Sequence, residues 1–384
     1  MPNGFQAFDR FSWQRSLATT MPKILKDVED ASKRNFALLA LMEQAGRIST
    51  GHGGEGIQWV VKYKDHATEA ATGENARSFT AQNLFKQAAL DWRGYECSDS
   101  IKRREIEKAK GEAAIVKVVD NFAERIQSSL MEGLASQFYT DGAASGNELY
   151  WHGLKTLAQS NGKSLTLGTN VSRTANINDK VIEPHGEYAA LSCVLGYYGG
   201  AQPSGTSFPE SVAEGKQYDF WSPLQVINDS DAFGGSSATA GAKMEKALRY
   251  GITHAQRNSS IDGQITNVML DRGKYIELKD HNDGRQTIEV KMAPNSLLEL
   301  GFLNSYRFDG CEISYENAVP VGYGFGINMA CMELMCLTDS LFDAEGGPQY
   351  DLATQSLNAV VSTLSNLKYK SPRNFVVWKP LSEA

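Results

Sequence analysis

The sequence predicts an α+β fold organised around one long helix, and three features of the chain carry that expectation. Between residues 112 and 139 the apolar residues Ile115, Val118, Val119, Phe122, Ile126, Leu130, Leu134 and Phe138 recur every three or four positions, the period of a helix. Ahead of this run Ile57, Trp59, Val61 and Tyr63 alternate with Gln58, Val60, Lys62 and Lys64, the period of a strand. Behind it, short apolar runs are punctuated by Gly, Pro, Asn and Asp turns over most of the remaining chain.

Length and composition bound the rest. A chain of 384 residues is long enough for two or three domains with a large buried core. Hydrophobic content of 41% against 22% charged residues is that of a globular protein and excludes wholesale disorder. A net charge of −7 argues against a chain built to coat nucleic acid, and is compatible with a container whose inner wall faces DNA without gripping it. The five cysteines, at 97, 193, 311, 331 and 336, form no CxxC pair; Cys331 and Cys336 lie in a Met-rich apolar run and read as reduced, buried thiols, and the chain reads as folded in a reducing cytoplasm. No run reaches the ~18 apolar residues that span a bilayer. The N-terminal residues lack a basic stretch followed by an apolar one, so no signal peptide is expected. The Asn-x-Ser triplets at Asn170, Asn228 and Asn258 are accordingly read as chance.

Residues 1–22 carry Phe5, Phe8, Phe11 and Trp13 without a period, anchors suited to lying on another surface. Residues 23–47 read as an amphipathic helix with Ile24, Val28, Ala31, Leu38, Leu39 and Met42 on one face, either docked on its own domain or part of an arm reaching a neighbour. Residues 51–56, GHGGEG, match the dinucleotide fingerprint by letter only, because a helix precedes them and a strand follows. The alternating segment 57–64, a polar tip at 65–78 and a return at 79–92 form a two-stranded ribbon. An isolated ribbon is marginal in water, so its apolar face needs a cover, from a neighbouring subunit or from its own domain. A strand at 92–101 leads into the long helix. Gly111 costs about 1 kcal/mol in a helix interior, which places the start at 112. Asp141-Gly142 ends it. Its ~28 residues make a rod of roughly 42 Å. A spacing that is mostly four winds the apolar face around the rod, as suits different partners along its length.

Beyond it, Asn161-Gly162-Lys163-Ser164 looks like the end of a phosphate loop, but the first glycine is replaced by Leu157. Helices are expected at 187–197, at 242–257 with Met244, Leu248 and Ile252 on one face, and at 350–364. Strands are expected at 265–270, at 297–302, and at 306–315 around Asp309-Gly310. Residues 272–278 form a short helix or a turn, and Asn282-Asp283-Gly284 a hairpin turn. A glycine-spaced segment, 319–328, precedes a Met-, Cys- and Leu-rich run to Leu341. No HExxH or GxSxG motif and no paired Cys/His spacing occurs, and Asp280–Asp283 reads as a solvated turn. No enzyme activity, cofactor or metal is expected.

Several stretches then resemble one family. They are Trp92–Tyr95 before the long helix, the Asp141-Gly142 loop with Gly153-Leu154 beyond it, and Tyr218-Asp219-Phe220-Trp221-Ser222-Pro223. Leu300-Gly301-Phe302, Phe308-Asp309-Gly310, Val319-Pro320-Val321-Gly322-Tyr323 with Ile327-Asn328, and Ser371-Pro372-Arg373-Asn374 complete the set. In this order, over about residues 50–378, they resemble the major capsid proteins of tailed bacteriophages, the Hong Kong 97-like fold.

The resemblance implies an N-terminal arm at 1–50, an E-loop ribbon at 51–92 and a P-domain with its spine helix at 93–164. It implies an A-domain at 165–300, a return to the P-domain at 301–350 and a C-terminal segment at 351–384. The implied function is a structural shell: hexamers and pentamers closing an icosahedron around phage double-stranded DNA, assembled in the bacterial host cytoplasm and found in the virion. Trp59, Val61, Tyr63, Lys64, Arg77, Glu124 and Arg125 are the expected intersubunit contacts. The implied partners are further copies of the chain, a portal at one vertex and DNA contacted without sequence specificity, with no membrane. Only about 50 residues precede the ribbon, which favours a separate scaffolding protein over a fused one. A decoration protein outside stays open, and no motif marks a covalent Lys–Asn crosslink. Two alternatives remain: an encapsulin-like nanocompartment shell, and a cytosolic hydrolase with a dispersed triad. Length and the ending around Ser371–Phe375 favour the phage shell.

Overall fold

The computed structural model describes residues 37–62, 85–104, 125–126, 129–130, 132–158, 182–183, 187–192, 221, 223–256, 263–283, 306–344 and 349–380. Helix α1 (Ala37–Gln44) leads to β1 (Ile48–Ser49), the ribbon strands β2 (Gly56–Lys62) and β3 (Phe85–Asp91), and β4 (Arg93–Lys102). Short strands β5 (Ile182–Glu183), β6 (Glu187–Tyr188) and β7 (Leu191–Ser192) follow, then β8 (Leu224–Ile227), α2 (Ala240–Ala255), β9 (Asn267–Leu270) and α3 (Arg272–Asp283). The remainder is β10 (Tyr306–Phe308), β11 (Cys311–Tyr315), β12 (Gly324–Ile327), β13 (Met332–Cys336), β14 (Asp343–Ala344), β15 (Gln349–Asp351), β16 (Ser356–Tyr369) and β17 (Val376–Lys379). The class is α+β, as expected.

The first sheet is built on β16. Along one edge it pairs antiparallel with β4 from Ser356↔Lys102 to Ser365↔Arg93. Along the other it pairs in turn with β15, β14 and β13, and β1 adds parallel to β13. The helix expected at 350–364 is therefore a turn and a long strand. Val360, Val361 and Thr363 are β-branched and weak helix formers, and partners on both edges hold the segment extended. Met332–Cys336, in the Met/Cys run, is likewise a strand whose alternate residues Met332, Leu334 and Cys336 are buried.

The long helix lies on this sheet. Residues 125–126, 129–130 and 132–137 are helical; 105–124, including Glu124, lie outside the described residues. Ile126 and Leu130 pack with Ile101 of β4 and Leu357, Ala359 and Val361 of β16. Two turns on, Leu134 and Phe138 enter the larger core instead. The winding apolar face thus meets two different partners. Gly133 permits the close approach, since a Cβ there would stand 1.5 Å from the Tyr95 hydroxyl.

The second sheet has the order β10-β11-β9-β12-β17-β8-β5. It runs across the expected divisions, taking strands from 165–300, 301–350 and 351–384 into one ladder. Helix α2 packs on β8 and β17, where the Trp378 indole N–H donates to the Ala247 carbonyl (2.9 Å). Helix α3 packs on α2 and β11. Asp309 and Gly310 turn β10 into β11 as the sequence suggested.

Two other expectations change. Residues 187–192 form a tight hairpin rather than a helix, turning through Ala189 and Ala190 at φ 52° and 60°; residues 193–197 lie outside the described residues. Asn282 and Asp283 end α3 rather than forming a hairpin turn. In both places tertiary packing overrides local turn and helix preference.

Truncation of Leu130 to Ala is expected to cost about 2–5 kcal/mol by opening a cavity between helix and sheet. Reversal of Arg125, whose ion pair with Asp99 (2.7 Å) is largely exposed, should cost no more than about 1 kcal/mol. Urea unfolding of the dispersed subunit separates the two.

Candidate functional site: ribbon, clamped loop and buried polar junction

The ribbon ladder runs from Gly56↔Asp91 to Lys62↔Phe85, and residues opposed across it share a face. One face carries Ile57, Trp59, Val61, Ala88 and Leu90. Ile57, Ala88 and Leu90 are buried, and Trp59 and Val61 pack on the main core. The Trp59 ring lies 6.4 Å from Tyr188 and 6.3 Å from Trp221, with the Lys368 ammonium 5.4 Å above it. The cover expected from a neighbouring subunit is therefore supplied, for Trp59 and Val61, by the same chain. The opposite face carries Val60 and Phe85, both exposed. In the sequence Val60 stands with the polar set of the alternation, and the signal it offers is a valine where glutamine and lysine would do. Tyr63, Lys64 and Arg77 lie outside the described residues, as does Glu124, whereas Arg125 sits on the surface against Asp99.

At the foot of the ribbon, β3, β16, the hairpin β6–β7 and residues 151–153 meet in a buried polar junction. The Asn366 side chain donates to the Asp91 carbonyl (2.8 Å), and its oxygen accepts from the His152 backbone N–H (3.0 Å). Asn366 Nδ2 also lies 3.0 Å from His152 Nδ1. The Tyr369 hydroxyl donates to the His152 carbonyl (3.1 Å), and the Tyr369 N–H donates to the Tyr188 hydroxyl (3.0 Å). The Trp221 indole N–H closes the group on the Tyr188 carbonyl (3.1 Å). Burial, aided by the nearby Arg93 charge, brings His152 down to about 4, so it is neutral at physiological pH. Burial likewise drives the Tyr188 hydroxyl far above its usual range.

Arg93, the first residue of β4, clamps residues 141–150. Its Nη1 donates to the carbonyls of Gly142 (2.6 Å) and Tyr150 and reaches that of Asn147 (3.2 Å). Asn147 Nδ2 donates to the Asp141 carbonyl, and Glu148 accepts from the Gly146 N–H. The loop is thus held from inside, yet Leu149 and Tyr150 project into solvent.

A second buried pair lies beside the other sheet. The Tyr139 hydroxyl, at the end of the long helix, donates to Glu316 Oε2 (2.7 Å), and the Leu38 N–H of α1 also bonds to that carboxyl. Desolvation raises Glu316 from the usual 4.5 to about 7, against the opposing pull of those two bonds. Both partners are sealed from solvent, so the pair joins three elements rather than meeting a substrate. Among the described residues no group of three His, Cys, Asp or Glu is placed to hold a metal ion.

No protein-family model matches the chain, and neither does any curated protein. Solved structures do. One chain of the cyanophage A-1(L) capsid asymmetric unit aligns over 91% of this chain and 93% of its own, with a TM-score of 0.53 and 16% identity. The capsid of the native GTA particle aligns over 88% and 90%, with a TM-score of 0.51 and 10% identity. The chain has the fold of a phage capsid protein.

The pH dependence of stability follows from the two buried groups. Glu316 holds its proton longer in the folded chain, so its contribution is full below about pH 4.5, falls as the pH rises to about 7, and is then constant. Its loss is on the order of 3 kcal/mol. His152 acts oppositely, stabilising above pH 6.5 and losing this as the pH falls towards 4. Glu316→Gln, whose amide oxygen still accepts from Tyr139, should match the wild type near pH 4.5 and exceed it at pH 8. Urea midpoints measured across that range test this; a constant difference contradicts it.

Cys97, Cys311, Cys331 and Cys336 are not joined in disulfides; Cys97 is half-buried and the other three are buried. Burial raises the Cys311 thiol to about 11, further suppressing its thiolate. Maleimide labelling followed by peptide mapping should find Cys97 modified first and the other three only after unfolding.

Proposed function

We propose that this chain is a major capsid protein of a tailed phage, a structural and non-enzymatic subunit of Hong Kong 97-like type. The observation that carries the reading is the extent of the fold match: about nine-tenths of this chain and of the capsid chains aligned with it. In this reading residues 1–50 are the N-terminal arm, 51–92 the E-loop, 93–164 and 301–350 the P-domain with its spine, 165–300 the A-domain and 351–384 the closing segment. Hexamers and pentamers close an icosahedral shell around double-stranded DNA in the host cytoplasm, with a separate scaffolding protein and a portal. The shell gains strength from the addition of many modest contacts, since each is made intramolecular by those already formed. The exposed apolar side chains on the outward ribbon face suit such a contact, as does the exposed position of Arg125. Tyr63, Lys64, Arg77 and Glu124 belong to the same proposed contact set, and Trp59 and Val61 stiffen the ribbon from beneath.

The purified chain, alone or with a scaffold, should form closed shells in negative-stain images; monomers under every assembly condition would overturn the reading. Deletion of residues 64–77, the ribbon tip, is expected to leave a folded, soluble subunit whose shells do not close. Shells of normal yield and stability from this variant would contradict an intersubunit role for the tip.

A further inference from the structure

We propose that β4 pairs edge to edge with β4 of a second copy across a two-fold axis, joining the first sheets of two subunits into one; this rests on the shell reading above. Among the described strands β4 pairs with β16 alone, so its other edge is open along all 10 residues. The Arg103 N–H, just past the strand, bonds back to the Gln355 carbonyl. Antiparallel pairing alternates, so the odd residues of β4 serve β16 while the N–H and C=O groups of the even residues point outward. Those even residues, Gly94, Glu96, Ser98, Ser100 and Lys102, are all exposed. A long edge with outward backbone groups is a template for another strand.

The side chains select both the partner and the register. With the axis at Asp99, Glu96 stands opposite Lys102 of the second copy, and Lys102 opposite its Glu96. Ser98 and Ser100 face each other in the same way, so the exposed face gains two ion pairs and two hydroxyl pairs. Moving the axis to Ser98 sets Glu96 against Ser100, and moving it to Ser100 sets Lys102 against Ser98. Neither opposes unlike charges within the strand. Charges on an edge discourage unrelated strands, and here the same charges fit a second copy of this chain.

The opposite face meets the one like-charge pair this register creates. Asp99 stands against its own copy, but each carboxylate already holds an Arg125 guanidinium from the long helix (2.7 Å). The other Asp99 oxygen accepts from the Ser100 N–H (2.7 Å), a bond between chain neighbours that caps an outward donor in the lone subunit. Pairing exchanges that cap for a strand bond. A contact of this kind is self-complementary and closes on itself, so it joins two subunits rather than building a ring, and an icosahedral shell has two-fold axes to receive it.

Ser98→Cys and Ser100→Cys chains in a Cys97→Ala background, co-assembled and mildly oxidised, should give disulfide-linked dimers. Ser98→Cys alone should give far fewer, its two copies being diagonal neighbours at the limit of a disulfide's ~7 Å reach. The chain carrying both substitutions should stop at dimers. Charge reversal by Glu96→Lys or Lys102→Glu should lower shell yield several-fold, and the two together should restore it, with the urea midpoint of the dispersed subunit unchanged throughout. Shells that form without the disulfide, equal linkage by Ser98→Cys alone, or a ladder of longer oligomers from the doubly substituted chain overturn this contact while leaving the shell reading intact. A wild-type chain that forms no shells under any assembly condition overturns the shell reading, and this contact with it.

Discussion

Two-sided pairing of β16 is the constraint from which the rest of the subunit follows. Ten residues of one edge are matched to β4, and the other edge is shared among β13, β14 and β15. With both edges satisfied, the strand cannot slip by one residue without turning Leu357, Ala359 and Val361 away from the long helix. The same strand runs on into Asn366 and Tyr369, which anchor the polar junction. The register that seats the helix therefore also seats the foot of the ribbon.

The buried polar groups set orientation rather than add net stability. The Asn366 amide ties together two separate segments, the end of β3 and His152, meeting the latter at both its backbone and its ring. An apolar residue there would leave the His152 N–H without its partner in a buried site, a cost of ~1–3 kcal/mol. Glu316 and Tyr139 play a comparable part between the helix end, α1 and the second sheet. The opposed titrations of Glu316 and His152 partly cancel between about pH 4.5 and 6.5, flattening the response of the subunit over that range.

A ribbon held on one face and bare on the other is a rigid lever. Its inner face is held by Tyr188, Trp221 and Lys368, so its direction from the body is set within the subunit. The Arg93 clamp does the same for the loop, and both devices start from consecutive parts of the chain, β3 and β4.

What the sequence determined by itself was local and periodic. Alternation at 57–61 announced the ribbon, threes and fours through Ile126, Leu130 and Leu134 announced the helix, and Asp309-Gly310 announced a turn, because each signal arises within a few neighbouring residues. The order of these elements resembled the capsid fold that the structure has. What only the tertiary structure decided was which surfaces are already taken. Whether Trp59 faces a neighbour or its own core depends on Tyr188 and Trp221, well over a hundred residues away. That residues 356–369 are one long strand depends, beyond their β-branched residues, on pairing with β4 more than two hundred and fifty residues earlier. The neutral state of His152 and the proton on Glu316 depend on burial, which no spacing of residues records. Periodicity reports the shape of a segment; its partners are chosen by long-range pairing and desolvation, and these exist only once the chain has folded.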